Sequence, residues 1–253
     1  MANYKYPDKN IDSVADLLGK IKSHDNEKIW FRGQVSSAWN LRPGIGRDDF
    51  SDKDLPIFER ELMDKFRQLA PVFLDRKPIY EWDWLFLMQH NNMPTRLLDW
   101  TENPLIALYL ALVDLKDKDD KSGDGALWCL LPEKLNEIAG VGARLPLLGK
   151  QFSEPADVMD QYLPSKDLPA DPLLPIAGLA ERSFDKMQVQ SSVFTISSNP
   201  KQPLNLTAPA CIWRYIIPEN IKGELEIDLR LLKVTEHTLF PRLDTIRDSI
   251  LGG

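Results

Sequence analysis

Gln89-His90-Asn91-Asn92-Met93-Pro94-Thr95-Arg96-Leu97-Leu98-Asp99-Trp100-Thr101 decides the fold, because three kinds of local chemistry follow one another within it. The apolar residues from Trp82 onward predict a helix that ends near His90, and Asn91-Asn92-Met93-Pro94 is turn chemistry. Thr95 to Trp100 reads as a short strand. Asn103 then suits the cap of a new helix whose first residue is Pro104, a favoured position for proline. Residues 105–113 are apolar on every side, which makes that helix a central one. A second segment, Trp30-Phe31-Arg32-Gly33-Gln34, shares an unusual property with the first. Both carry polar and ionisable side chains inside runs apolar enough to be buried, where each such group needs a partner or a ligand.

Outward from these segments the chain reads as one α+β domain. Ile11, Val14, Leu17, Leu18 and Ile21 recur at helical spacing, with Ser13 and Asp16 as a capping pair. Lys28 to Arg32 reads as a buried strand stopped by Gly33. Leu55, Phe58, Leu62, Phe66 and Leu69 form the core stripe of a second helix whose other face is charged. Residues 114–125 have the composition of a solvated loop, and Ala126 to Leu131 that of a strand. From 140 to 185 periodicity fades, with prolines at 146, 155, 164, 169, 172 and 175, so this segment reads as a long irregular insertion. Strand character returns at Val193–Ser197 and Cys211–Ile217. Leu225, Leu229 and Leu232, then Leu243, Ile246 and Ile250, predict two closing helices. The expected fold is a mixed or antiparallel sheet with flanking helices, a single domain over residues 1–253.

Composition narrows the function. At 253 residues, 43% hydrophobic and 27% charged, the chain is ordinary for a globular protein with a large core. A net charge of −7 argues against a broad basic face for DNA or RNA, although Arg32, Arg42, Arg47 and Arg96 near the motifs allow a locally positive site. No apolar run is long enough for a membrane span, and Met1 to Pro7 lacks a signal-peptide core, so a cytoplasmic protein with no membrane partner is expected. Cys129 and Cys211 lie in apolar runs and read as buried reduced thiols. With three histidines, His24, His90 and His237, a multi-histidine metal site is not expected.

Arg32 follows two bulky aromatics and precedes a glycine, so its planar fork is placed to meet a diphosphate in a cleft. The plainer alternative is a buried Arg paired with Asp99 or Glu81. His90, at a helix end beside a turn, fits ligand contact or proton transfer equally well as a bond to a loop carbonyl. Thr95, Asp99 and Thr101 offer acceptors and hydroxyls, while Arg96 and Asp99 fall on opposite faces of an ideal strand. Five of the seven tryptophans, Trp100 among them, lie in the first 100 residues, and one is available to stack on a base or nicotinamide ring. Arg32, His90, Asp99 and Thr101 are expected to line one cleft.

Phe31-Arg32-Gly33, the Gln89–Thr101 segment and the Ala-containing helix Leu105–Ala111 together resemble the FRG domain family, over about residues 27–245. The order of elements is also similar to that of ADP-ribosyltransferases. That resemblance implies NAD as substrate, with Arg32 on its diphosphate or ribose and Asp99-Trp100-Thr101 supporting it. Gln34, His90, Thr95 and Arg96 complete the implied binding set. A glutamate that stabilises the oxocarbenium-like ribose normally enters the fifth strand; Gln190 stands there instead, and a neutral amide stabilises positive charge less well. Glu236 is the alternative source of that charge, its plainer role being a helix-start carboxylate.

The leading expectation is therefore an NAD-binding, ADP-ribosyltransferase-like protein that transfers or hydrolyses ADP-ribose, with Arg32, Glu236 and Gln190 as catalytic candidates. Its acceptor would be a protein or nucleic acid. The family resemblance implies a bacterial or phage toxin or anti-phage effector. A noncatalytic nucleotide-sensing or protein-interaction module ranks second and a metal-dependent nuclease third. No Walker loop, Gly-x-Gly-x-x-Gly, Gly-x-Ser-x-Gly or His-Glu-x-x-His string is present.

Overall fold

A computed structural model of the chain describes residues 4–113, 123–148, 159–166, 173–180 and 190–240. Eight strands, β1 (Lys9–Asn10), β2 (Trp30–Gln34), β3 (Leu97–Thr101), β4 (Gly125–Leu130), β5 (Leu147–Leu148), β6 (Ile176–Ala180), β7 (Ser192–Ile196) and β8 (Ile212–Ile217), form a sheet in the order β1-β8-β4-β2-β3-β7-β6-β5. β1 lies parallel to β8 and β5 parallel to β6, while the central neighbours are antiparallel. The sheet is mixed, as an α+β domain allows.

The centre of the sheet is its weakest seam. β2 pairs with β4 along five residues, but with β3 only at Phe31 opposite Thr101. Two four-stranded halves therefore share one pairing, and beyond it β2 and β3 part.

Among the described residues eight α-helices flank these halves: α1 (Val14–Lys22), α2 (Leu55–Leu69), α3 (Glu81–His90), α4 (Pro104–Leu112), α5 (Pro132–Ile138), α6 (Leu204–Thr207), α7 (Lys222–Leu231) and α8 (Glu236–Leu239). On one face α1, α4 and α7 bury Val14, Leu108 and Leu225 against Phe31, Cys129 and Tyr215. Further along, α3 packs Leu85 and Met88 onto Leu97, Phe194 and Ile196. The other face carries Trp30, Trp100 and Trp128 with Leu135 of α5 and Leu204 of α6. Local signals place the helix starts: the Ser13 hydroxyl accepts from the Asp16 amide at 3.1 Å, and the Asn103 side chain accepts from the Leu105 amide at 2.9 Å.

Gly33 does not stop its strand. β2 runs through it to Gln34, and the reason for the glycine is steric: an added Cβ would lie 2.0 Å from the Ala107 carbonyl oxygen and 2.6 Å from the Ala111 amide of α4. The segment 140–185 is not wholly irregular either. β6 lies within it and pairs with β7, a strand hidden from its sequence because Ala177, Gly178 and Ala180 have weak strand propensity. Cys211 sits in a turn before β8 rather than in a strand, and both cysteines are buried free thiols. Residues 225–232 fall on α7 and its end, whereas Leu243, Ile246 and Ile250 lie outside the described residues. No helix among the described residues is long and apolar enough to cross a membrane.

The Gly33 contact predicts opposite outcomes for two glycine substitutions. Gly33→Ala meets helix backbone that no rotamer can relieve, so it should cost at least about 3 kcal/mol, the upper range for overpacking. Gly19→Ala, in α1 with nothing within 4 Å of the new methyl, should stabilise by about 0.5–1 kcal/mol. Chemical unfolding of both variants checks the pair, and equal melting of wild type and Gly33→Ala would refute the close contact.

Candidate functional site

Arg32 lies where β2 leaves β3. Pleat alternation starts its side chain on the Trp30 face, while Asp99 shares the face of Phe31 and Thr101. The guanidinium nevertheless reaches the seam, and its Nη1 donates to the Asp99 carbonyl oxygen at 2.6 Å. A side chain thus occupies the hydrogen-bonding direction that the parted strand has vacated. Arg32 is half-buried, and its Nε is buried with no hydrogen-bond partner. Burial lowers its pKa to about 10, the Asp99 charge opposes that shift, and Arg47 adds to it. Arg32 remains a cation at neutral pH. The alternative partner Glu81 is engaged elsewhere, accepting from the Ser165 amide at 3.0 Å.

The exposed Asp99 carboxylate is held from the other side. Its Oδ2 accepts from Gln89 Nε2 at 2.5 Å, and the Gln89 carbonyl oxygen accepts from the Thr95 hydroxyl. A carboxylate only accepts, so Gln89 must turn its amide nitrogen to Asp99 and its oxygen to Thr95. The Thr95 hydroxyl also accepts from the Leu97 amide at 3.2 Å. The end of α3, the turn and β3 are therefore stitched into one unit by a glutamine that motif reading had not singled out. Its signal was available: position 89 falls one turn after Leu85 on the face toward the strand. His90, next to it, is half-buried at the helix end.

The remaining sequence candidates divide among other places. Arg96 is buried against Glu59, which accepts from Arg96 N at 2.9 Å, Nε at 2.8 Å and Nη2 at 2.6 Å, while Nη1 donates to the Tyr162 carbonyl at 2.7 Å. This pair contributes to a separate cavity of about 290 Å³, lined also by Lys53, Ser198 and Lys201, and not by Arg32 or Asp99. Gln34 accepts from the Trp128 indole at 2.7 Å, and the Trp100 indole donates to Thr195 at 3.1 Å, so both are spent on the core. Thr101 does not join Arg32: its hydroxyl donates to the Gln190 carbonyl at 2.6 Å. Gln190 in turn donates to the Leu239 carbonyl at 3.1 Å. Glu236 is the first residue of α8, capped by Thr235, and its charge raises the Tyr109 pKa after the larger effect of burial. Asp99 and Thr101 share a face of β3 but take different partners, Asp99 the Gln89 amide and Thr101 the Gln190 carbonyl, so the four residues fall into two neighbouring groups.

Two half-sheets with a half-buried cation at their seam define a small α+β domain of split-sheet architecture. Residues 27–120, from the approach to β2 past α4, match the family model of the FRG domain. That span holds Arg32, Arg47, Glu59, Gln89, Thr95, Arg96 and Asp99, and leaves Gln190 and Glu236 outside. Neither the curated proteins nor the solved structures give a match. Among the described residues no group of three or more His, Cys, Asp or Glu side chains is placed to hold a metal ion.

The Arg96–Glu59 pair yields a stability test. Glu59→Leu strands a buried guanidinium and should cost about 3–5 kcal/mol, whereas Glu59→Leu combined with Arg96→Met should recover most of that loss. Denaturant unfolding of the two singles and the double closes the cycle. Additive losses in the double would mean that the two charges do not depend on each other.

Proposed function

We propose that the seam between β2 and β3 binds NAD or a related nucleotide, and that the protein transfers or hydrolyses ADP-ribose. The single observation that carries this reading is Arg32: a cation whose Nε is buried and unpartnered, beside an exposed carboxylate held in place by Gln89. A planar guanidinium donor suits a diphosphate, and an immobilised carboxylate suits the hydroxyls of a ribose. The unpartnered Trp30 and Trp213 indoles sit within apolar clusters; the Nε groups of Arg42 and Arg67 are likewise buried without partners, but Arg42 is paired with Asp48 and Arg67 lies over the Trp84 ring.

For ADP-ribose transfer, a negative group must face the ribose as nicotinamide leaves. Asp99 adjoins Arg32, whereas Gln190 and Glu236 stand beside α8. An activity of this kind on a protein or nucleic-acid acceptor would suit a toxin or anti-phage effector, the role that the family resemblance implies. The engagement of Gln190 in holding Leu239 favours a second reading, a noncatalytic module that senses a nucleotide or holds a partner in the same cleft.

Calorimetry with NAD and ADP-ribose, paired with nicotinamide release, separates these readings. Arg32→Lys keeps the charge and loses the fork, so affinity should fall by about tenfold or more. If Glu236 supplies the charge, Glu236→Ala should slow release by roughly 100-fold, with Gln190→Ala doing less. Binding without release by wild type would favour the noncatalytic module, and neither binding nor release would reject the nucleotide reading.

A further inference from the structure

The cavity of about 290 Å³ over the Arg96–Glu59 pair is lined by neither Arg32 nor Asp99. Its floor is the buried pair itself. Glu59 spends both carboxylate oxygens on Arg96, and Arg96 Nη1 also holds the Tyr162 carbonyl. A guanidinium carries five N–H hydrogens, so at least two of those on Arg96 take no acceptor among the described residues. Bulk water cannot supply one, because the side chain is only 3% exposed.

The walls are fixed. On one side α2 begins, with Asp54 capping the Ile57 amide at 3.5 Å and Leu55 and Pro56 lining the space. On the other run residues 198–201, where the Ser198 hydroxyl donates to the Leu173 carbonyl at 2.7 Å. Gly46 is pressed so closely onto Pro200 that an added Cβ would lie 1.8 Å from its carbonyl oxygen. Lys201 joins the two sides, its Nζ donating to the Ser51 and Lys53 carbonyls at 3.3 and 3.2 Å. An ammonium has three hydrogens, so Lys201 keeps one donor. Lys53, exposed and with its Nζ 3.1 Å from the Asp52 carboxylate, is the third cation of the lining. The two lining carboxylates, Asp54 and Glu59, already accept hydrogen bonds, whereas donors remain at the floor and on the solvent side. The dipole of α2 adds positive potential at the same wall. In a chain of net charge −7 such a local excess of cations favours an anion. A carboxylate offers two oxygens to three cations; a phosphate monoester offers three. The volume, near the lower end for ligand pockets, suits a small organic group on that phosphate and is too small for a dinucleotide.

We propose that this cavity binds a small phosphate monoester, with the phosphate on Arg96, Lys53 and Lys201 and the organic part against Leu55, Pro56 and Pro200. The site shares no lining residue with the Arg32 seam, so it holds or fails apart from the nucleotide reading.

Calorimetry at low salt with glycerol phosphate, inorganic phosphate and glycerol tests it. The proteins are wild type, Lys53→Ala, Arg32→Lys and the paired variant Glu59→Leu with Arg96→Met, each checked by thermal melting. Wild type should bind glycerol phosphate more tightly than inorganic phosphate and should not bind glycerol. The paired variant removes one positive and one negative charge together, so a loss of about tenfold or more reports the missing guanidinium donors and not a change in net charge. Lys53→Ala changes only an exposed side chain, and it should weaken binding by about twofold to fivefold, an effect that fades as salt is raised. It carries the test alone if the paired variant does not fold. No binding of glycerol phosphate by wild type, or unchanged affinity in the folded cavity variants, would overturn the site. A loss confined to Arg32→Lys would move the phosphate to the seam and overturn it equally. Inorganic phosphate binding as tightly as the ester would overturn the assignment of an organic part.

Discussion

The backbone of α4 rests directly on Gly33, and the arrangement of the sheet's centre depends on that contact. A side chain at position 33 would collide with the carbonyl of Ala107, and one at Gly125 would lie 2.8 Å from the carbonyl of Ala111. The helix can therefore lie over β2 and β4 at a distance that only glycine permits. It begins immediately after β3, at the Asn103 cap and Pro104. One helix thus ties together strands that share a single pairing, Phe31 with Thr101, and covers the seam from one face. Arg32, one residue from both Gly33 and that pairing, is held at the seam by the same contact.

Several polar groups buried around the seam are matched. Glu59 answers Arg96, Thr195 answers the Trp100 indole, Gln34 answers the Trp128 indole, and Thr101 answers a carbonyl. Farther out, Asn136 exchanges hydrogen bonds with the Ala177 backbone at 2.7 and 2.9 Å. Matching of this kind is what burial demands, since an orphaned donor loses its water without compensation. Arg32 keeps a buried donor without one, beside the exposed Asp99 carboxylate. That exception, at the break in the sheet, gives the site its chemistry.

Much of this was legible in the sequence because short-range chemistry decides it. Ser13, Asn103 and Pro104 announce helix starts, and the all-round apolar α4 announces its central position. The opposite facing of Arg96 and Asp99 follows from a period of two. Long-range facts were not legible. Glu59 falls on the apolar side of α2, four residues after Leu55 and three before Leu62, and it is fully buried, but no local signal names its partner Arg96, 37 residues later. Spacing from Leu85 turns Gln89 toward the strand, but its partners are not named until Thr95 and Asp99 fold back onto it. Gly33 reads as a strand terminator until the position of α4 is known. The grouping of Thr101 with Gln190 depends on β7 pairing beside β3, which no local signal encodes.

Nuclear magnetic resonance of the arginine Nε–H groups tests the central claim most directly, because it observes the unpartnered donor itself. The Arg32 signal can be assigned by its loss in Arg32→Lys. On titration with ADP-ribose it should shift, and its exchange with water should slow as the Nε–H acquires an acceptor, while adenosine leaves it unchanged. An Arg32 signal that stays fixed while ADP-ribose saturates the protein, or one already protected in the free protein, would contradict the account.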